Sequence, residues 1–153
     1  MTRAGLRWCL LAALSSLLWG CSGDPGEQPE PFFDLATVHT WPEVRDCRFS
    51  IEHDGVQMTV HASPGAETAY TTGTYPFAEG TVIVKAETDD SDCAVPIEFT
   101  AMRKLATGAA PADGDWEWQR VDADGKVLET GSLPRCVSCH RSCADRDYVC
   151  TDP

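Results

Sequence analysis

Beyond residue 46 the chain alternates apolar and polar positions with period two, the mark of strands that bury one face. Residues 47–62 read "CRFSIEHDGVQMTVHA". Asp54-Gly55 suits a two-residue type I′ turn, which sets His53 opposite Val56, Ile51 opposite Met58 and Phe49 opposite Val60. In that register these six share one face, while Arg48, Ser50, Glu52, Gln57, Thr59 and His61 share the other. A second hairpin is expected from residues 81–87 and 93–102, joined by the polar run "TDDSD". Pro96 has no amide hydrogen to give a ladder, so the returning strand is expected at an edge or with a bulge. A third pairs the Trp116/Trp118 strand with residues 126–130 across Asp124-Gly125. Residues 106–114, "ATGAAPADG", read as a loop. Residues 134–145 form the best helix candidate, because Pro134 suits a first helical turn. The expected fold is mainly β (α+β): an antiparallel sheet of hairpins with a short C-terminal helix.

The first twenty residues follow a different pattern. Arg3 and Arg7 precede an apolar run from Trp8 to Trp19, broken only by Ser15 and Ser16. The run is short for a membrane span, which takes about 20 residues, and reads as a secretory signal over residues 1–20. Gly20-Cys21 closes it and resembles the lipobox of bacterial lipoproteins, with Cys21 as the lipidated residue; Trp19 stands where small residues are usual. Ser22 after Cys21 resembles the outer-membrane sorting pattern. The expectation is an exported protein, lipid-anchored to the bacterial envelope at the outer membrane and facing the periplasm. Residues 21–36 are then the lipidated cysteine and a flexible tether. Residues 37–153 are enough for one domain with one core.

Without Arg3 and Arg7, ten Lys and Arg stand against 24 Asp and Glu, a net charge of about −14. Such a surface repels nucleic acid. It suits a soluble head held off a membrane.

Export puts Cys47, Cys93, Cys136, Cys139, Cys143 and Cys150 in an oxidising space. Four of them lie in "CVSCHRSCADRDYVC", residues 136–150. Cys136-x-x-Cys139-His140 has the spacing of c-type haem attachment: thiols three apart on one helical turn reach one edge of a porphyrin, and the next imidazole stands over the iron. Disulfides are the competing explanation. A four-cysteine zinc site and a reactive dithiol suit an oxidising compartment less well.

Four pieces in order resemble the cytochrome P460 family, which also includes the β-sheet form of cytochrome c′. They are "YPFAEGTVIVKAE" (75–87), "MRKLATG" (102–108), "GDWEWQRVDADGKV" (114–127) and "CVSCHRSCADRDYV" (136–149). The resemblance implies an antiparallel sheet packed on a haem c, covalently held by Cys136 and Cys139, with His140 as axial ligand of a five-coordinate iron. It further implies a small nitrogen or oxygen ligand of the hydroxylamine or nitric oxide class. In the family's enzymes a lysine is cross-linked to the porphyrin and hydroxylamine is oxidised; Lys85 lies in the matching strand. Whether this chain is such a haem oxidoreductase stays open, as do a redox partner protein and a homodimer. Glu98 is a candidate general base. An electron carrier would want a sixth ligand, drawn from Met58, Met102, His39, His53 and His61, and Trp116 and Trp118 are expected in the core. With haem on Cys136 and Cys139, four cysteines remain and three connectivities exist; the expected one is Cys47–Cys93 with Cys143–Cys150. The alternative is a haem-free, disulfide-stapled envelope lipoprotein of the same shape.

Overall fold

A computed structural model describes residues 28–151. The signal segment, Cys21 and residues 22–27 of the tether lie outside the described residues. Six strands form one antiparallel meander in the order β1-β2-β3-β4-β5-β6. They are β1 (Glu43–Ser50), β2 (Val56–Ala62), β3 (Val82–Thr88), β4 (Glu98–Lys104), β5 (Trp116–Asp122) and β6 (Val127–Gly131). Helix α1 (Glu67–Thr72) bridges β2 and β3, and α2 (Pro134–His140) follows β6. A 3-10 turn, Arg141–Arg146, continues from α2. The sequence pattern had shown no helix at α1.

Two expectations need correction. The Asp54-Gly55 turn forms, with both residues at positive φ and Val56 N–H donating to the His53 carbonyl at 3.3 Å. The ladder, however, starts at Ser50↔Val56 and runs through Phe49↔Gln57 and Arg48↔Met58. Ile51 is therefore not opposite Met58, and Phe49 and Ile51 are exposed. An odd slip exchanges faces. The slip frees residues 51–55 to fold over the sheet end, where His53 meets β3. The second correction concerns Pro96. It lies before β4, so nothing in the ladder is lost, and β4 is an interior strand between β3 and β5.

Alternation along the interior strands divides the sheet into two faces. On one, Val82, Val84, Ala86, Phe99, Ala101, Val121 and Val127 pack with Phe33 and Val38. The segment before β1 covers them: the Gln119 amide accepts from Phe32 N–H and donates to the Glu30 carbonyl, both at 2.9 Å, and Arg103 stacks on Phe32 at 4.2 Å. On the other face Val60, Ile83, Met102, Trp116 and Trp118 pack under Tyr70, Phe77, Leu133, Val137, Tyr148 and Val149. Trp116 and Trp118 are core residues, as expected.

The C-terminal segment is pinned to this second face by Asp147. Its carboxylate takes Lys104 Nζ at 2.5 Å and Phe77 N–H at 2.8 Å, and its carbonyl accepts from Trp116 Nε1 at 2.9 Å. Gly114 makes room: a Cβ there would stand 2.3 Å from the Tyr148 ring. Disulfides join Cys47 to Cys93 and Cys143 to Cys150, as expected. By loop length they contribute about 4 and about 2 kcal/mol in the chain-entropy account.

Candidate functional site

The covered face of the sheet changes character along its strands. At one end Ala62, Ile83, Met102 and Trp118 are apolar neighbours across the ladder. Two residues further along each strand stand Lys85, Thr100 and Arg120, in register with one another, and then Glu87 with Glu98. A cavity of about 530 Å³ spans this boundary, between the sheet and α2. That volume lies within the usual range for cofactors and small ligands, ~300–1,000 Å³.

Helix α2 supplies the wall opposite. It begins with Pro134 and carries Cys136, Cys139 and His140, all three lining the cavity. Cys136 and Cys139 are the two free thiols among the described residues. Burial raises the pKa of Cys136, so it stands as the thiol. The Cys143–Cys150 disulfide also borders the cavity and leaves no four-thiolate zinc cage. Among the described residues no group of three or more His, Cys, Asp and Glu side chains is placed to hold a metal ion.

His140 is held in one orientation. Its Nδ1–H donates to the Tyr148 carbonyl at 2.6 Å, and its ring meets Trp118 edge-on at 6.3 Å. Burial lowers its pKa to about 4, with the Lys85 charge adding to the effect and the Tyr148 bond opposing it. The imidazole is therefore neutral, with Nδ1 committed to backbone and Nε2 left as the free lone pair. The spacing of residues 136–140 announced the histidine but not its partner, because Tyr148 reaches it through the turn that Asp147 fixes.

The residues present fit a c-type haem. Two thiols three apart on one helix, a neutral imidazole next to them and a wall of Met58, Ile83, Met102 and Trp118 face one cavity. Trp118 Nε1, a buried donor in that wall, has no hydrogen-bond partner among the described residues. Of the sixth-ligand candidates, Met58, Met102 and His53 line the cavity. His61 instead bonds the Trp41 carbonyl, and His39 is exposed on a 3-10 turn of the segment before β1.

The polar end of the cavity is densely paired. Glu98 takes Arg120 through two bonds of 2.6 and 2.8 Å, and Glu129 lies 3.5 Å from the same guanidinium. Glu98 thus spends its carboxylate on an ion pair, which speaks against its candidacy as general base. Lys85, the lysine of the strand that resembles the family's, lines the cavity with its amine nitrogen on His53 rather than on a carboxylate. Sequence reasoning had assigned His53 to an apolar hairpin face and gave Glu87 no role. Their juxtaposition needs the slipped β1 register.

Compared with known proteins, residues 39–151 match the family model described as Cytochrome P460. No curated protein matches the chain.

Proposed function

The chain belongs to the cytochrome P460 family of haem-binding cytochromes, and from that premise we propose that it is an exported, lipid-anchored c-type haem protein. Cys136 and Cys139 carry the thioethers and His140 Nε2 the iron. The pocket takes a small ligand of the hydroxylamine or nitric oxide class. One observation carries the reading: the two free thiols and the neutral, backbone-held imidazole share one cavity wall, while the other four described cysteines are consumed in disulfides.

When bound, the haem supplies an iron centre able to coordinate such a ligand and exchange electrons with it. The protein's part is positioning. The Tyr148 carbonyl fixes the His140 tautomer and ring direction. Trp118 and Met102 form an apolar floor, and the Cys143–Cys150 bond borders the cavity beyond α2. The acidic surface and the lipid on Cys21 keep the head in solution beside its membrane.

Met58 and Met102 in the wall support a second reading, electron transfer with a sixth ligand on the iron. The visible spectrum of protein made in a host that matures haem c separates the two: ferrous and ferric bands of five-coordinate iron are expected. His140→Ala should keep the covalent haem and change the bands. Unchanged bands in that variant would remove His140 from the iron.

A further inference from the structure

Five large apolar side chains stand exposed among the described residues: Phe49, Ile51, Val95, Ile97 and Leu128. Scattered singly, such residues need no explanation. These five are not scattered. In an antiparallel meander the β1–β2, β3–β4 and β5–β6 connections leave the same end of the sheet. All five lie in those connections or within two residues of them. Phe49 pairs with Gln57, and Gln57 with Thr88. Ile97 N–H donates to the Glu87 carbonyl at 2.8 Å, which sets Ile97 beside Thr88. Phe49 to Ile97 thus crosses four strands, about 14 Å at the usual strand spacing. The loop that carries Val95 is preformed. Its amides from Asp92, Ala94 and Val95 donate to the Asp90 carboxylate at 2.9, 3.0 and 3.2 Å, and Cys93 is bonded to Cys47. A contact made there costs little ordering.

The same three connections carry Glu52, Asp54, Asp89, Asp90, Asp92 and Asp124 against one lysine, Lys126. Asp54 pairs with Arg135 of α2 at 2.9 Å, and the other five carboxylates make no ion pair among the described residues. An apolar centre inside a charged ring is the anatomy of a protein-docking surface. The ring selects the occupant. A second copy of this chain would set six carboxylates against six, which like-charge repulsion opposes. A bilayer containing anionic lipid is opposed in the same way. A cationic protein is attracted. Glu52 and Asp54 also line the cavity, so the surface adjoins the candidate site.

We propose that this end of the sheet docks a basic protein: a partner whose apolar patch is ringed by lysine and arginine lays the patch on Phe49, Ile51, Val95 and Ile97 and its cations on the carboxylates around them. The surface belongs to the chain alone. The proposal rests on the haem reading only for what the encounter does. With haem in the adjoining cavity, the partner is a one-electron redox protein: the haem is oxidised and the partner's centre reduced by the same electron. The acidic ring steers the approach and the apolar centre holds the contact, so the complex forms fast and weakens as salt rises.

The test titrates the full-length, haem-loaded protein, held in uncharged detergent, with a basic cytochrome c that carries a lysine ring around its haem edge. Amide NMR shifts are followed at several salt concentrations. The shifts should cluster on residues 49–54 and 92–97, and affinity should fall about tenfold between about 20 and about 200 mM salt. Ile51→Ser/Val95→Ser, on exposed loop positions, should weaken binding about tenfold and keep the salt dependence. Asp89→Asn/Asp92→Asn should weaken it about threefold and flatten that dependence. Glu79→Gln/Asp145→Asn makes the same change of charge at exposed positions away from this end and should alter neither. Equal losses in the two charge variants would reduce the effect to net charge and overturn the docking surface. So would unchanged binding in Ile51→Ser/Val95→Ser, or a dimer that this variant abolishes. Slowed amide exchange at Ile51 and Val95 on vesicles of phosphatidylethanolamine and phosphatidylglycerol, with no probe present, would assign the patch to the membrane and overturn it too. Binding at this surface by wild-type chains that carry no covalent haem would sink the haem reading and leave the surface standing. Haem bound with no shift at these residues would do the reverse.

Discussion

Adjacent residues of β3 belong to different worlds. Val84 is fully buried in a mainly apolar layer, and Lys85 lines a cavity beside His53 and Glu87. The two faces of one sheet thus do different work. The far face, closed by the segment before β1, is a core in which the one buried amide, Gln119, is satisfied by backbone. The near face is a core at one end and a charged wall at the other. Apolar burial yields roughly 25 cal/mol per Å², whereas buried ion pairs often break even against apolar residues of the same volume. The contrast teaches that one face gives its whole length to apolar burial, while the charged end of the other adds little to stability and lines the cavity.

That contrast can be broken from either side. Phe99, packed against Phe33 with ring centres 5.5 Å apart in the far layer, should be the most costly position. Phe99→Ala should lose about 3–5 kcal/mol in urea melts, with covalent haem unchanged in the fraction that folds. Asp147→Asn attacks the clamp under the near face. It leaves Lys104 buried without its counter-charge, at about 3 kcal/mol, and should also loosen the Tyr148 carbonyl from His140, seen as altered haem bands. Cys143→Ser/Cys150→Ser opens a short loop, and about 2 kcal/mol should go. The smallest effect is the most pointed. Glu98→Leu/Arg120→Met replaces a half-buried pair by apolar groups and should shift stability by about 1 kcal/mol or less in either direction. A loss as large as that of Phe99→Ala would show that the charged end is structural.

What could be read in advance follows from how local the signal is. The Cys136–His140 spacing lies within one helical turn, and Asp54-Gly55 makes its turn from its own backbone preferences. Both were visible in the sequence. The disulfide pairing also agreed with expectation. The β1 register was not visible, because Phe49 and Ile51 look like core residues until the Cys47–Cys93 bond and the His53 contacts pull that strand three residues along. Pro96 suggested an edge because a proline's cost depends on whether the ladder has begun, and here it begins at Glu98. The site's partners, Tyr148 for His140 and Glu87 for His53, come from segments far apart in the chain or from a turn with positive φ. No periodicity announces such meetings.

The central claim is that α2 faces the boundary between the two ends of the near face in order to hold a haem there. The most direct measurement is the intact mass of the denatured protein after expression in a host that matures haem c. The account predicts one haem retained on the chain under denaturing conditions, with digestion placing it on the peptide of Cys136 and Cys139, and none on Cys136→Ala/Cys139→Ala. A wild-type chain at its bare polypeptide mass, with Cys136 and Cys139 joined to each other, would contradict it.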